Sequence, residues 1–218
     1  MPPFGRGVLA VALAVGVLVT GAQATRPADE AILPPEDYRF PDARVLAVEH
    51  GQHLVALYED VRRCAPELDF QLDGIAFQRP RQGVSSTPHL TLWVFLDAKR
   101  PPLGSNTAGR AAEAVRQYGR KMIRRLSAPS PVAGDGRVGG YGLILSWIGP
   151  RKIRDLPVME SLVVFARKEP AAAFASGQMT LPDFLAAADV RMFDGQDEVP
   201  FPVLTTREAP GPPGLDGC

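Results

Sequence analysis

The chain has 218 residues, of which 24 are basic and 24 are acidic. This balance argues against a general nucleic-acid-binding protein, because phosphate binding depends on a strong excess of basic residues. The length suffices for one domain with a hydrophobic core, and the 22 prolines lie mostly between apolar runs, which indicates a folded chain.

The first 24 residues have the three parts of a secretory signal peptide. Arg6 supplies positive charge, residues 8–19 form an uncharged apolar run, and small residues precede a cleavage site after Ala24. We therefore predict a signal peptide over residues 1–24 and an exported protein, either periplasmic or extracellular. The apolar run is shorter than the roughly 20 residues of a spanning helix, so no integral membrane span is expected after cleavage. An uncleaved N-terminal anchor is the alternative.

The proline-rich residues 25–41 are predicted to be an extended lead-in, and residues 42–204 to be a single α+β domain. Asp42 is a candidate helix N-cap, and apolar residues recur every three or four positions from Leu46 to Cys64. Because Gly51 weakens the middle of this helix, it is alternatively expected to begin near His50, after a short strand from Arg44 to Val48. Pro66 ends it in both cases.

Two strands follow, over residues 69–78 and 89–97. Both faces of the second strand are apolar, as in a strand at the centre of a sheet. A second helix is expected to begin at Asn106 or Thr107 and to end before Pro129.

The second half repeats this order of elements. A glycine-rich connector over residues 134–140 leads to strands at residues 141–148 and 158–167. Two short helices follow, the first ending at Gly177 and the second opened by a capping box of Thr180 and Asp183. Residues 190–193 are predicted to form an edge strand, and residues 205–218 to be a disordered tail.

This order predicts an α+β fold with a mainly antiparallel sheet of four or five strands and helices packed on one face. Trp93 and Trp147 fall in comparable strands of the two halves, which points to an αββ duplication. We expect both tryptophans in the core, and a pocket wall is the alternative.

Three histidines are the candidate metal ligands. His50 and His53 are three residues apart and would share a helix face. Either a nearby carboxylate or His89 of the adjoining strand would complete the site, the candidate carboxylates being Glu49, Glu59 and Asp60. No His-Glu-x-x-His motif is present, and His50 lies on the apolar stripe, so packed structural histidines are the favoured interpretation. A metal-dependent enzyme or metal-binding protein is the alternative function.

Motifs for nucleophilic catalysis and nucleotide binding are absent from the sequence. There is no Gly-x-Ser-x-Gly elbow, and Ser85, Ser86 and His89 are neighbours only along the chain. The glycines at residues 134–142 follow a helix and precede a strand, which is the reverse of a phosphate-binding loop. We therefore expect no cofactor.

The second helix carries the densest positive charge in the chain. Its cationic stripe would meet an anionic envelope component or a protein partner and consists of Arg116, Arg120, Lys121 and Arg124. A solvated helix face is the alternative. The most consistent function is an exported, non-catalytic binding or interaction module that uses this stripe or an exposed sheet face.

The two cysteines, Cys64 and Cys218, would form one disulfide in an oxidising compartment. Because Cys218 ends a tail with almost nothing to bury, we favour an unpaired Cys64 and a free terminal thiol.

Overall fold

A computed structural model describes residues 26–80, 86–97 and 101–201. The described strands form one six-stranded sheet in which sequence neighbours are also spatial neighbours. The strands are β1 (Leu68–Gln78), β2 (His89–Leu96), β3 (Gly140–Ile153), β4 (Leu156–Arg167), β5 (Asp189–Asp194) and β6 (Asp197–Val199).

The α+β class is confirmed, and the expected mainly antiparallel sheet of four or five strands differs from the structure in two details. The sheet has six strands, and β2 and β3 pair in parallel while the other neighbours pair antiparallel. The parallel pair arises because a long helical segment joins β2 to β3 and returns the chain to the starting end of the sheet. The predicted edge strand corresponds to β5, which is internal because β6 lies outside it.

Helices occupy the connections before β1, between β2 and β3, and between β4 and β5. They are α1 (Ala28–Ala31), α2 (Pro41–Glu49), α3 (Gly51–Cys64), α4 (Thr107–Ala114), α5 (Arg120–Leu126), α6 (Pro131–Gly134), α7 (Lys168–Ala175) and α8 (Leu181–Ala187). Within the described ranges, no helix combines the length and apolar character needed to cross a bilayer.

The lead-in is not simply extended, since it contains α1 and a 3₁₀ turn at Pro35–Asp37. Proline is well tolerated in the first turn of a helix, and Pro41 occupies that position in α2, so Phe40 is the N-cap and Asp42 is not. The chain then breaks at His50, whose backbone φ of −106° and ψ of 13° separate α2 from α3. The alternative short strand at residues 44–48 is wrong, because these residues belong to α2.

The second predicted helix is confirmed with one irregularity. The side chain of Asn106 accepts a hydrogen bond from the Gly109 amide at 2.7 Å and caps α4. A π-helical turn at Val115–Gly119 then connects α4 to α5. In the second half, Gly177 has the left-handed φ of 81° expected of a C-terminal cap, and Thr180 caps α8.

The two faces of the sheet have different surroundings. Helix side chains contact one face, which we call the helical face: the Tyr58 ring lies 4.7 Å from that of Phe70, and the His50 ring 6.1 Å from that of Phe77. Strand residues on the helical face are almost fully buried, including Leu92, Val94, Leu143, Leu145, Trp147 and Leu162. The opposite face, here called the second face, keeps its large side chains partly exposed and includes Trp93, Phe95, Ile144, Val163 and Phe193.

The two tryptophans do not occupy equivalent positions. Trp93 lies on the second face in β2, the second strand of its hairpin, and donates to the Ser146 hydroxyl at 2.8 Å. Trp147 is fully buried on the helical face in β3, the first strand of its hairpin. The two tryptophans therefore do not support the duplication, although the order helix–strand–strand recurs at β1–β2 and at β3–β4. The core prediction holds for Trp147 alone.

The predicted signal peptide, Ser85 and the tail at residues 205–218 lie outside the described residues. Cys64 is disulfide-bonded, which contradicts the unpaired Cys64 that we favoured. Cys218 lies outside the described residues.

Candidate functional site

The predicted cationic stripe is largely engaged in contacts within the chain. The guanidinium of Arg120 lies 4.8 Å from the centre of the Phe174 ring and donates to the Met179 carbonyl at 3.2 Å. Arg124 donates through Nε to the Ala175 carbonyl at 3.3 Å. These arginines therefore attach α5 to the C-terminal end of α7, where carbonyl groups lack helix partners.

The remaining two members of the stripe lie in different surroundings. Arg116 lies 3.7 Å from the Glu113 carboxylate, in an exposed pair of the kind that contributes little to stability. Lys121 is half-buried. The four side chains consequently do not form a uniform cationic surface.

The three histidines occupy different environments. His50 donates through Nε2 to the Asp135 carboxylate at 3.0 Å and belongs to the helical side of the sheet. His53, one turn later in α3, has a buried Nε2 without a hydrogen-bond partner among the described residues. Burial and the neighbouring His50 lower the pKa of His53. His89 lies on the second face, in β2.

The group that most resembles a metal site contains one of these histidines. Glu49, His50 and Asp135 are the described side chains whose ligand atoms lie within 4.8 Å of one another. However, Arg137 already bridges the two carboxylates, donating to Glu49 and, at 3.0 Å from its Nε, to Asp135. A guanidinium thus supplies the positive charge, and Arg137 with His50 holds the pKa of Asp135 well below its usual range.

A second charged cluster, which the sequence did not reveal, is buried beneath α4. Glu160 of β4 is 1% exposed and Arg110 is 7% exposed, and they form a bidentate ion pair. The same carboxylate accepts hydrogen bonds from Trp147 at 2.6 Å and Thr107 at 3.0 Å. Every carboxylate oxygen therefore has two donors, as expected of a structural ion pair.

A pocket of about 330 Å³ opens at the end of the second face where β2 and β3 begin and β4 ends. We call it the His89 pocket. It is lined by Thr87, His89, Gly139, Phe165, Arg167, Ala187 and Asp189. Its volume lies at the small end of the range for ligand sites, roughly 300–1,000 Å³.

The imidazole of His89 is the most deeply buried polar group of this pocket, at 2% exposure. Nδ1 lies 3.0 Å from the Thr87 carbonyl oxygen. Because a carbonyl can only accept, Nδ1 carries the proton and Nε2 keeps a lone pair. Burial lowers the pKa of His89, so this neutral tautomer is favoured near pH 7.

The packing of the ring requires glycine in β3. A Cβ atom on Gly140 would lie 2.1 Å from the Ala166 carbonyl oxygen and 2.8 Å from the His89 ring. A Cβ atom on Gly142 would lie 2.6 Å from the ring of Phe165. These glycines are thus part of the sheet and not a flexible connector. They let His89 and Phe165 lean across β3, with ring centres 5.8 Å apart and planes nearly perpendicular.

Two opposite charges in the pocket do not pair with each other. Asp189 begins β5 and Arg167 ends β4 on the same face. Neither forms an ion pair or a side-chain hydrogen bond with another described residue, and Oδ2 of Asp189 is buried. A buried carboxylate oxygen without a donor costs free energy in the empty protein, and a ligand with a donor group would recover it.

Of these pocket residues, the sequence identified only His89, and assigned it to a different site. Asp189 and Arg167 stand at strand ends about 20 residues apart, so only the register between β4 and β5 brings them together. A usable signal was the pair Gly140 and Gly142, since glycine at alternate positions of a strand marks a close approach on one face.

Comparison with protein-family models, with curated proteins and with solved structures gave no match for this chain.

Proposed function

We propose that the chain is an exported, non-catalytic module of the cell envelope that binds a small molecule in the His89 pocket. The observation that carries this proposal is the buried imidazole of His89, which lines a pocket together with Asp189, a carboxylate whose buried Oδ2 has no hydrogen-bond partner among the described residues. The other buried charged clusters are internally neutralised, by Arg137 at Asp135 and by Arg110 at Glu160.

Binding fits this pocket better than catalysis does. In a catalytic triad, a carboxylate orients the imidazole through Nδ1, and the opposite nitrogen reaches a nucleophile. Here a backbone carbonyl holds Nδ1 of His89, and no hydroxyl or thiol among the described residues forms a hydrogen bond with Nε2. The arrangement supports recognition of a donor group by a fixed acceptor.

A steric block of the pocket tests the proposal. Ala187 lines the pocket and the neighbouring Ala186 does not, although both side chains are exposed. We would screen neutral, cationic, anionic and zwitterionic small metabolites by thermal shift, because a ligand of the folded state raises its stability. Ala187→Trp should abolish the shifts and Ala186→Trp should retain them. The proposal is wrong if no compound stabilises the protein, or if Ala187→Trp leaves the shifts intact.

The export part of the proposal depends on residues 1–24 and needs a separate measurement. Expression of the full chain, followed by fractionation and N-terminal sequencing, should give an exported protein that begins at Thr25. An intact N-terminus in the cytosolic fraction would refute export.

A metal-dependent function based on His50, His53 and His89 is the second candidate. It has less support, because His50 groups with Glu49 and Asp135, and Arg137 lies between these carboxylates. Elemental analysis of protein purified without a histidine tag separates the two candidates. One bound metal ion per chain that is lost in His50→Gln would favour the second.

A further inference from the structure

Besides the hydroxyl of Thr87, three side chains of the His89 pocket carry hydrogen-bonding groups, and two of them accept while one donates. Asp189 provides a carboxylate and His89 provides a neutral Nε2 lone pair, and both accept hydrogen bonds. Arg167 contributes a guanidinium, which only donates. Arg167 and Asp189 stand on the neighbouring strands β4 and β5, whereas His89 stands on β2, beyond β3. A ligand that satisfies both charges must therefore carry a hydrogen-bond donor and an anionic group close together.

The charges of Asp189 and Arg167 define further which ligand the pocket would bind. Asp189 and Arg167 line the same pocket without forming an ion pair, so their charges stay available to a ligand. The nearest additional cation on β5, Arg191, acts on Asp189 only through space, because its guanidinium is bound to Glu198 at 2.8 Å. A primary ammonium group suits the carboxylate of Asp189, since it carries three donors and a positive charge.

A metal ion fits these groups less well than an ammonium group does. Structural and catalytic zinc sites use at least three protein ligands. Among the described residues, the set of three ligand-type side chains lies at Glu49, His50 and Asp135, so no third ligand joins His89 and Asp189.

The pocket wall also has an apolar component. Phe165 is 9% exposed and lines the pocket, and Val163 lies next to it on the second face. An aliphatic group attached to the ligand would therefore meet apolar surface beyond the charged end of the pocket.

The geometry points to a small zwitterion as the ligand of the His89 pocket, namely a free amino acid with an aliphatic side chain. Its ammonium group would bind Asp189, and its carboxylate would bind Arg167. This inference rests on the proposed function, because it specifies the ligand of the same site.

The first arm of the test varies the ligand and leaves the protein unchanged. Leucine, isopentylamine and 4-methylpentanoate share the same aliphatic part. Leucine carries both charges, isopentylamine carries only the ammonium group, and 4-methylpentanoate carries only the carboxylate. Calorimetric titration of the full mature chain should show leucine binding at least tenfold more tightly than either analogue. Leucyl-leucine, whose charged ends lie farther apart, distinguishes a free amino acid from a short peptide and should bind more weakly than leucine.

The second arm varies the protein. Asp189→Asn and Arg167→Gln should each weaken leucine binding at least tenfold, and each should reduce the advantage of leucine over the analogue that lacks the corresponding group. Asp197→Asn and Arg154→Gln change the same charges at exposed positions outside the pocket and should leave the affinity unchanged.

The outcomes separate this inference from the proposed function. If a neutral or singly charged metabolite stabilises the protein and Ala187→Trp blocks it, while leucine does not bind, the pocket remains a binding site and the zwitterion inference is overturned. Leucyl-leucine binding more tightly than leucine would likewise overturn the free amino acid. If neither leucine nor any screened compound binds, both proposals fail.

Discussion

Two combinations of a carboxylate and a guanidinium lie on opposite faces of the same sheet and behave differently. On the helical face, Glu160 and Arg110 form a bidentate ion pair beneath α4. On the second face, Asp189 and Arg167 line one pocket and form no ion pair within the described part of the chain. The first combination has the hydrogen bonds that a buried charge needs for stability, whereas the second leaves its charges available for a ligand.

Removing the carboxylate on each face is the strongest test of this contrast. Glu160→Ala leaves the Arg110 guanidinium buried without its partner, so we expect a loss of about 3–5 kcal/mol in the free energy of unfolding. Asp189→Ala removes a carboxylate that has no ion-pair partner among the residues that the structure describes, so a change within about 0.5 kcal/mol is expected. Urea denaturation measures both. Equal losses would show that Asp189 is a structural residue.

The backbone beneath the two sites provides the next comparison. Alanine at Gly140 would place a Cβ atom 2.1 Å from a backbone oxygen, which cannot move without distorting β4. We expect Gly140→Ala to cost about 3 kcal/mol, at the upper end for overpacking. Alanine at Gly149 would meet the Glu160 carboxyl group at 2.8 Å and should also disturb the ion pair.

Gly136→Ala is the matched control, because nothing lies within 4 Å of its Cβ position. Thermal unfolding should place Gly136→Ala near the unmodified protein and Gly140→Ala well below it. Similar melting temperatures for these two variants would contradict the close packing of His89 over β3.

Much of the fold could be predicted from the sequence, because the spacing of apolar residues within one element shows which of its faces is buried. The apolar alternation of β2 and the stripe of the second helix indicated their elements directly, and Asn106 and Gly177 marked helix ends. The parallel pairing of β2 with β3 was not accessible, since it depends on the path of the intervening helices. The edge strand β6 has only three residues and no periodicity to detect.

The sites were less accessible than the fold, for a related reason. Glu160 and Arg110 are 50 residues apart, and each looks like an ordinary charge in its own element. The pairing of His50 with Asp135 spans 85 residues and depends on a loop between α6 and β3. The cationic stripe could be predicted from the spacing of arginines along the helix. Its contacts with α7 could not, because they depend on tertiary packing.

The Asp135 cluster extends the contrast to pH dependence. The pKa of the Asp135 carboxyl is lower in the folded state than its ordinary value. The charged carboxylate therefore stabilises the folded state at any pH above the unfolded pKa near 3.9, and this stabilisation is lost as the pH falls further. Asp135→Asn should lower the free energy of unfolding by about 2 kcal/mol at pH 7. This difference should shrink below about pH 4, as measured by urea denaturation across the acid range. Asp197→Asn is the exposed control, and a difference independent of pH would rule out this linkage.

The smallest expected effect concerns His89 itself. Because burial lowers its pKa, the unfolded chain takes up a proton that the folded chain resists, so stability falls as the pH drops below about 6.5. His89→Gln removes this contribution, and the loss of stability between pH 7 and pH 5 should be smaller by about 1 kcal/mol or less. His53→Gln is the matched variant, because the pKa of His53 is also lowered by burial, yet it lies outside the pocket. Saturation with a pocket ligand distinguishes the two variants. The ligand should steepen the fall of unfolding free energy with decreasing pH in His53→Gln, which keeps His89, but not in His89→Gln. A ligand that has the same effect in both variants would show that the imidazole of His89 does not face the bound molecule.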